Sequence, residues 1–265
     1  MAATPGIPLS FDRYCAEIVD QADLLRSTVK GTDPAAPVPS CPGWDLGQLI
    51  RHVNGAHRWV ATIVGTRAAE PVSDELVNEM PKLTGEDPAA LDALLAEGAT
   101  RLSETLRDAG PDVAVWTVAP GGTPVFWARR MTHETALHRA DAALAAGREY
   151  VLDADVARDA LDEWMGFHAV EEIAEDQPGV PSLLGPGRTL HFHATDADAE
   201  WFVDLTGKAP VWRAAHEKAA VAVRGTVTDL VLFLYGRPAV AGGVETLGDR
   251  QLLDVWLERT RFWLQ

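Results

Sequence analysis

Residues 123–147 read TPVFWARRMTHETALHRADAALAAG. Thr123 then Pro124 is a helix start: a side chain able to accept an orphan N–H, then a residue whose missing N–H is harmless in the first turn. Gly147 is a helix stop. Between them, Trp127, Met131 and Leu137 mark one helical face together with Glu134 and His138. Glu134 and His138 are i, i+4, so they stand one turn apart on that face. The face is expected to point into a core. A carboxylate and an imidazole on a buried stripe are costly unless they pair or bind a metal. Glu-x-x-x-His is a workable half of a zinc site. His133 lies roughly 140° from His138 on a helical wheel, so the two do not share a metal. His133 is expected at the helix flank.

Three further helices precede this one. Residues 11–29 carry Phe11, Tyr14, Cys15, Ile18, Ala22, Leu25 and Val29 at helical spacing. A Pro-rich loop, Asp33 to Trp44, separates them from a second helix. Asp45 is its N-cap, with Gln48 three residues on to complete a capping box. Its inward stripe includes Leu46, Leu49, Val53 and Val60. His52 lies beside Val53 and three residues after Leu49, and is the best third ligand. His57 faces elsewhere. Asp87-Pro88 opens another helix with Leu91, Leu95, Ala99 and Leu102. Four long helices predict a four-helix bundle, and the long connection at 67–86 predicts a crossover within it.

After Tyr150 the pattern changes. Residues 155–175 still read as helix, and 176–188 hold three Pro and three Gly, a loop or linker. Strand-like segments follow at 189–194, 199–205 and 220–224. Thr226 with Asp229 caps a helix through Tyr235, and Gly248-Asp249 precedes a last helix to Leu264. The fold class expected is α+β: a bundle over 1–150 and a small α+β domain over 151–265.

Composition narrows the function. The chain has 265 residues, with Lys plus Arg 23 against Asp plus Glu 39, a net charge of −16. No concentrated basic patch offsets that, so nucleic acid is not an expected partner. An anionic membrane surface is disfavoured for the same reason. No apolar run reaches the roughly 18 residues that span a bilayer. No signal peptide is recognisable at the start. Two cysteines, Cys15 and Cys41, make no disulfide framework. A cytoplasmic protein is expected, as monomer or homodimer.

The sequence is poor in nucleophiles. It has no Gly-x-Ser-x-Gly elbow, no Walker A loop and no Gly-x-Gly-x-x-Gly. Cys41, before Pro42, reads as a loop residue. His52, Glu134 and His138 together make a His2Glu set with one open position, the catalytic arrangement for zinc. The same residues also read as a hydrogen-bonded core pair with a lone inward histidine, and spacing leaves both readings open. His191 and His193 alternate on a strand and face one side. They read as a metal pair or as a polar strand face. Asp196 and Asp198 read as turn residues.

Val38-Pro39-Ser40-Cys41-Pro42-Gly43-Trp44-Asp45, followed by Leu49-Ile50-Arg51-His52, resembles the N-terminal signature of the mycothiol-dependent maleylpyruvate isomerase family. Trp127 to Arg130, then His133 to Arg139, resembles its second signature. Leu190 to Asp196, with Val221 to Gly225 and Leu234 to Arg237, looks like its C-terminal domain. The resemblance covers about residues 10 to 262. It implies a DinB-like four-helix bundle followed by an α+β domain of sterol-carrier-like type. It implies one divalent metal, usually zinc, on His52, Glu134 and His138. It implies mycothiol, an actinobacterial thiol, as cosubstrate, with an arginine of the C-terminal domain, Arg224 or Arg237, tied to activity.

The implied chemistry is attack of an activated thiol on a small electrophile. A cis-enone diacid would isomerise through addition, bond rotation and elimination. Another electrophile would end as an S-conjugate, the work of a transferase. An external thiol would explain why the chain carries no catalytic cysteine. The alternative is a non-catalytic small-ligand-binding protein with a metal site in its bundle. The −16 charge opposes capture of a dicarboxylate, so local cations must do it, and a neutral electrophile is slightly favoured.

Overall fold

The computed structural model describes residues 8–79, 87–118, 122–169, 182–239 and 242–260. Two compact units account for it, Leu9–Tyr150 and the residues from Val151 onward.

The first unit is helical. Its long helices are α1 (Phe11–Val29), α2 (Leu46–Gly65), α4 (Pro88–Ala109) and α5 (Pro124–Ala146), with a five-residue α3 (Glu75–Glu79) in the connection after α2. α3 is too short to carry a periodic signal. Residues 80–86 of that connection lie outside the described residues. Asp45 caps α2 as expected: its carboxylate accepts from the Gln48 N–H, and the Gln48 side chain accepts from the Asp45 N–H. Asp87 and Thr123 sit at cap positions of α4 and α5, but neither makes a side-chain cap bond. There Pro at the first turn marks the start alone. Gly147 ends α5 at φ +60, in the left-handed region.

α1 packs on α5 and α4, and α2 packs on α4 and α5, giving a four-helix bundle. Its core is aliphatic, with Ile18, Leu25, Leu49, Val53, Ile63, Leu95 and Leu102 buried. One end is aromatic. Trp59, Trp116 and Trp127 meet with centroids 5.1–6.0 Å apart. Trp127 donates its indole N–H to the Trp116 carbonyl, and Trp59 donates to Val72. These bonds tie both long connections onto the helices and satisfy the indoles inside an apolar cluster.

The second unit holds α6 (Ala154–Phe167), a five-stranded sheet, α7 (Val227–Leu234) and α8 (Arg250–Thr260). The strands are β1 (Thr189–Ala194), β2 (Glu200–Asp204), β3 (Val211–Arg213), β4 (Val221–Gly225) and β5 (Glu245–Gly248). Their order is β3-β2-β1-β4-β5, with β1 and β4 parallel and the other pairs antiparallel. One face carries Leu190, Phe192, Val203, Val221 and Val223, all buried. α7 packs on β1 and β4, and α8 on β4. The other face carries His191, His193, Ala222 and Arg224, as the two-residue side-chain period requires.

α6 stops at Phe167, short of the expected 175; His168 and Ala169 are turn, and 170–175 lie outside the described residues. So do 176–181 of the expected linker and 261–264 of the last helix. β3 and β5 were not expected, being only three and four residues long. Among the described residues no helix is long and apolar enough to cross a membrane.

Candidate metal centre

α2 and α5 bring His52, Glu134 and His138 together. Glu134 Oε1 lies 3.2 Å from His52 Nε2 and 3.1 Å from His138 Nε2. All three side chains are partly accessible, at 17%, 23% and 10%. One carboxylate oxygen therefore faces two imidazole nitrogens at a partly accessible position. The other oxygen, Oε2, accepts from Arg130 at 3.2 Å.

Sequence reasoning missed three supporting residues. Asp141, i+3 from His138 and fully buried, accepts from His138 Nδ1 at 2.9 Å. Cys41 Sγ lies 3.6 Å from the same Asp141 oxygen. Trp44 lays its ring beside His52, with centroids 4.9 Å apart, and near His138 at 6.5 Å. Cys41 and Trp44 come from the Pro-rich loop. The loop is closed by Val38 N–H to Trp44 O and Trp44 N–H to Cys41 O, with Gly43 at φ +87. A residue with a Cβ is strained at that φ. The spacing of Asp141 behind His138 was the available signal, masked by its Ala-rich surroundings.

The chemistry of the donors decides what the site can hold. Asp141 accepts, so Nδ1 of His138 carries a proton. Nε2 then faces Glu134 as a second acceptor unless something positive lies between them. A proton on Nε2 does so. Burial alone would lower the His138 pKa, but Glu134 and bonds to Asp141 and Cys41 push it well above the usual histidine range. Burial alone would raise Glu134, but His138 and His52 hold it well below the usual carboxylate range. A divalent cation can take the place of that proton. Two imidazoles and one carboxylate suit zinc and its neighbours, and the Asp141–His138 pair is the outer-sphere contact that fixes the tautomer of a ligating histidine.

The other histidines of this unit, His57 and His133, are not members of the triad, though Glu134 and His52 act on His57 electrostatically. His57 is fully buried, and its Nε2 lies 2.8 Å from Thr135 Oγ1. The Thr135 hydroxyl donates to the Met131 carbonyl, so His57 Nε2 carries the proton in that contact. His133 corrects an expectation. It is fully buried, edge-on to Tyr14 with centroids 6.4 Å apart, not at a solvent flank. α5 buries residues all round its circumference, so it has no such flank at that position.

Arg224 and Arg237 both belong to the second unit. Arg224, on β4, keeps 47% of its side chain exposed, 3.6 Å from Glu245. Arg237 donates to the Tyr235 carbonyl two residues back, at 2.8 Å. Asp196 accepts from the Val227 N–H at the start of α7, so it is a turn residue with an added capping contact.

Comparison with known proteins agrees with this architecture. The model of the mycothiol maleylpyruvate isomerase N-terminal domain matches residues 15–143, and that of the matching C-terminal domain, abbreviated MDMPI, matches 155–254. No curated protein matches the sequence closely enough to count as a relative. Among solved structures, a mycothiol-dependent maleylpyruvate isomerase superposes with a TM-score of 0.63 at 16% identity, over 90% of this chain and 93% of that one. A variant of such an enzyme, with one histidine changed to alanine, superposes with a TM-score of 0.62 at 15% identity, over the same shares of the two chains. At that identity the likeness concerns the fold.

Proposed function

The chain belongs to the mycothiol-dependent maleylpyruvate isomerase family, and from that premise we propose that it is an enzyme in which His52, Glu134 and His138 hold one divalent metal, zinc in the first instance, and mycothiol attacks a small electrophile. The observation that carries this reading is Glu134 Oε1 set between two imidazole nitrogens at 3.1 and 3.2 Å, with no role in core packing that would need such a convergence.

The metal, when bound, supplies the Lewis acidity that lowers a thiol pKa toward neutrality. The residues of the chain do the rest. Asp141 holds His138 in the Nδ1–H tautomer and keeps Nε2 aimed at the site. Arg130 neutralises part of the Glu134 charge and holds its second oxygen. Trp44 shields one side of the two histidines from water. For an electrophile that bears a carboxylate, Arg224 is the better partner of the two arginines: its guanidinium reaches solvent, whereas Arg237 is bonded to its own turn. With a cis-enone diacid, the thiol adds across the double bond, the resulting single bond rotates, and loss of the thiol gives the trans isomer. With an electrophile that cannot eliminate, the S-conjugate is the product.

The test is turnover of maleylpyruvate, and of a panel of neutral unsaturated ketones, by zinc-loaded protein with and without mycothiol. Proton NMR separates trans isomer from conjugate. Turnover that needs the thiol is expected. Its absence across the panel, in protein holding its metal, would leave a binding protein and overturn this reading.

Asp141 gives a finer prediction. Asp141→Asn is expected to weaken zinc affinity about 10–100-fold, the usual cost of losing the partner of a ligating histidine. A competitive chelator titration reads it. Unchanged affinity would mean that Asp141 only packs.

A further inference from the structure

A second cluster of metal-type ligands stands on the sheet of the second unit. His191 and His193 project from the same face of β1, and Glu200 lies opposite His193 on β2. His216 follows β3 in the chain. The Glu200 carboxylate is the hub. Its Oε2 lies 3.3 Å from His191 Nε2, its Oε1 lies 2.6 Å from His193 Nδ1, and both oxygens lie within 2.9 Å of His216 Nδ1. The three imidazole rings sit 5.5–6.0 Å apart, centroid to centroid. One ligand atom from each residue falls within 4.8 Å of all the others.

We propose that His191, His193, Glu200 and His216 form a second divalent-cation site, for zinc or a neighbouring d-block ion, independent of the helical triad. Three imidazoles and one carboxylate are the ligand types these ions prefer, whereas magnesium and calcium favour all-oxygen sets. Bond lengths of about 2.0–2.2 Å place tetrahedral ligands roughly 3.4 Å from one another. The contacts of 2.6–3.3 Å to Glu200 are already of that size, so small side-chain rotations are enough to admit the ion.

The charges also favour it. Three protonated imidazoles around one carboxylate would repel each other at this spacing. Three neutral ones must each spend their only N–H on the same carboxylate. One cation replaces those protons and removes both constraints. Three of the four ligands are at least half buried, and His191, His193 and Glu200 start from paired strands, so the set is largely pre-formed. His216, 79% exposed, closes it from the solvent side. His191 and His216 also line a cavity of about 370 Å³ that includes Lys218 and Leu247. A bound ion would therefore stay within reach of water or a small anion.

The test is zinc titration of the chelator-treated full chain, with bound metal counted per chain by mass spectrometry. Four proteins are compared: wild type, His138→Ala, the pair His193→Ala with His216→Ala, and all three changes together. The expected result is two equivalents in wild type, one in each of the next two, and none in the last. His216 is mostly exposed, so circular dichroism should show the sheet variant folded. If the equivalent remaining in His138→Ala survives the sheet changes, or if His138→Ala binds no zinc, the second site does not exist. If wild type holds one equivalent that only the sheet changes remove, the second site stands and the helical one fails.

Discussion

Replacing His138 by alanine is expected to strip the helical site of its metal and to cut thiol-dependent turnover about a thousandfold. A Lewis-acid metal supplies several kcal/mol of transition-state stabilisation, and about 4 kcal/mol is a factor of about a thousand. His138 is anchored from behind by a buried carboxylate, Asp141 at 2.9 Å. Its removal leaves Glu134 facing one imidazole instead of two and takes from Asp141 the bond to His138, so some loss of stability accompanies the loss of metal. His52→Ala separates the two effects. His52 is more accessible and meets the site through Glu134 at 3.2 Å, so its loss costs little folding energy but the same coordination. Both variants should lose turnover while His52→Ala keeps the melting temperature of metal-free wild type. Turnover that persists in metal-free His52→Ala would sink the metal-centred mechanism.

The triad was legible because its logic is local. Glu134 and His138 are one turn apart on a helix with clear stops at both ends, and His52 shares the period of Leu49 and Val53. No long-range knowledge was needed to place all three on inward stripes. Asp141 and Trp44 were not legible for opposite reasons. Asp141 sits on the right helix, but among alanines, where a carboxylate reads as solvent-facing; only the burial of α5 on all sides makes it an inner group. Trp44 reaches the histidines through a loop whose shape depends on backbone bonds such as Val38 to Trp44, which periodicity does not register. The same all-round burial makes His133 an inner residue where the helical wheel puts it at a flank. In the second unit, β1 was placed to the residue, because its apolar and polar residues alternate strictly. β3 and β5 escaped because runs of three and four residues hold too little pattern to detect. The two-residue period alone puts His191 and His193 on one face; Glu200 and His216 join them only through the pairing of β1 with β2 and the chain path after β3.

The pH dependence of stability should show a second large effect, centred on His57 and separate from catalysis. His57 is fully buried in the bundle, and burial lowers its pKa from 6.5 to about 4, outweighing the opposing pull of Glu134. Above about pH 6.5 the ring is neutral whether the chain is folded or not, and its contribution does not vary. Below that the unfolded chain binds a proton that the folded chain refuses, so stability falls as the pH falls. The loss continues down to about pH 4, where the folded ring also protonates, and then levels off. A shift from 6.5 to about 4 corresponds to a total of roughly 3 kcal/mol. Other groups titrate over the same range, so the comparison is with His57→Gln, which keeps a side-chain donor for Thr135 but has no proton to gain. Urea midpoints would be measured at intervals from pH 7.5 to 4 in the presence of chelator. The wild-type curve should fall more steeply than the variant's between pH 6.5 and 4, and the two should run parallel above it. Equal slopes throughout would mean that the folded bundle accepts the His57 proton, which the full burial of the ring argues against.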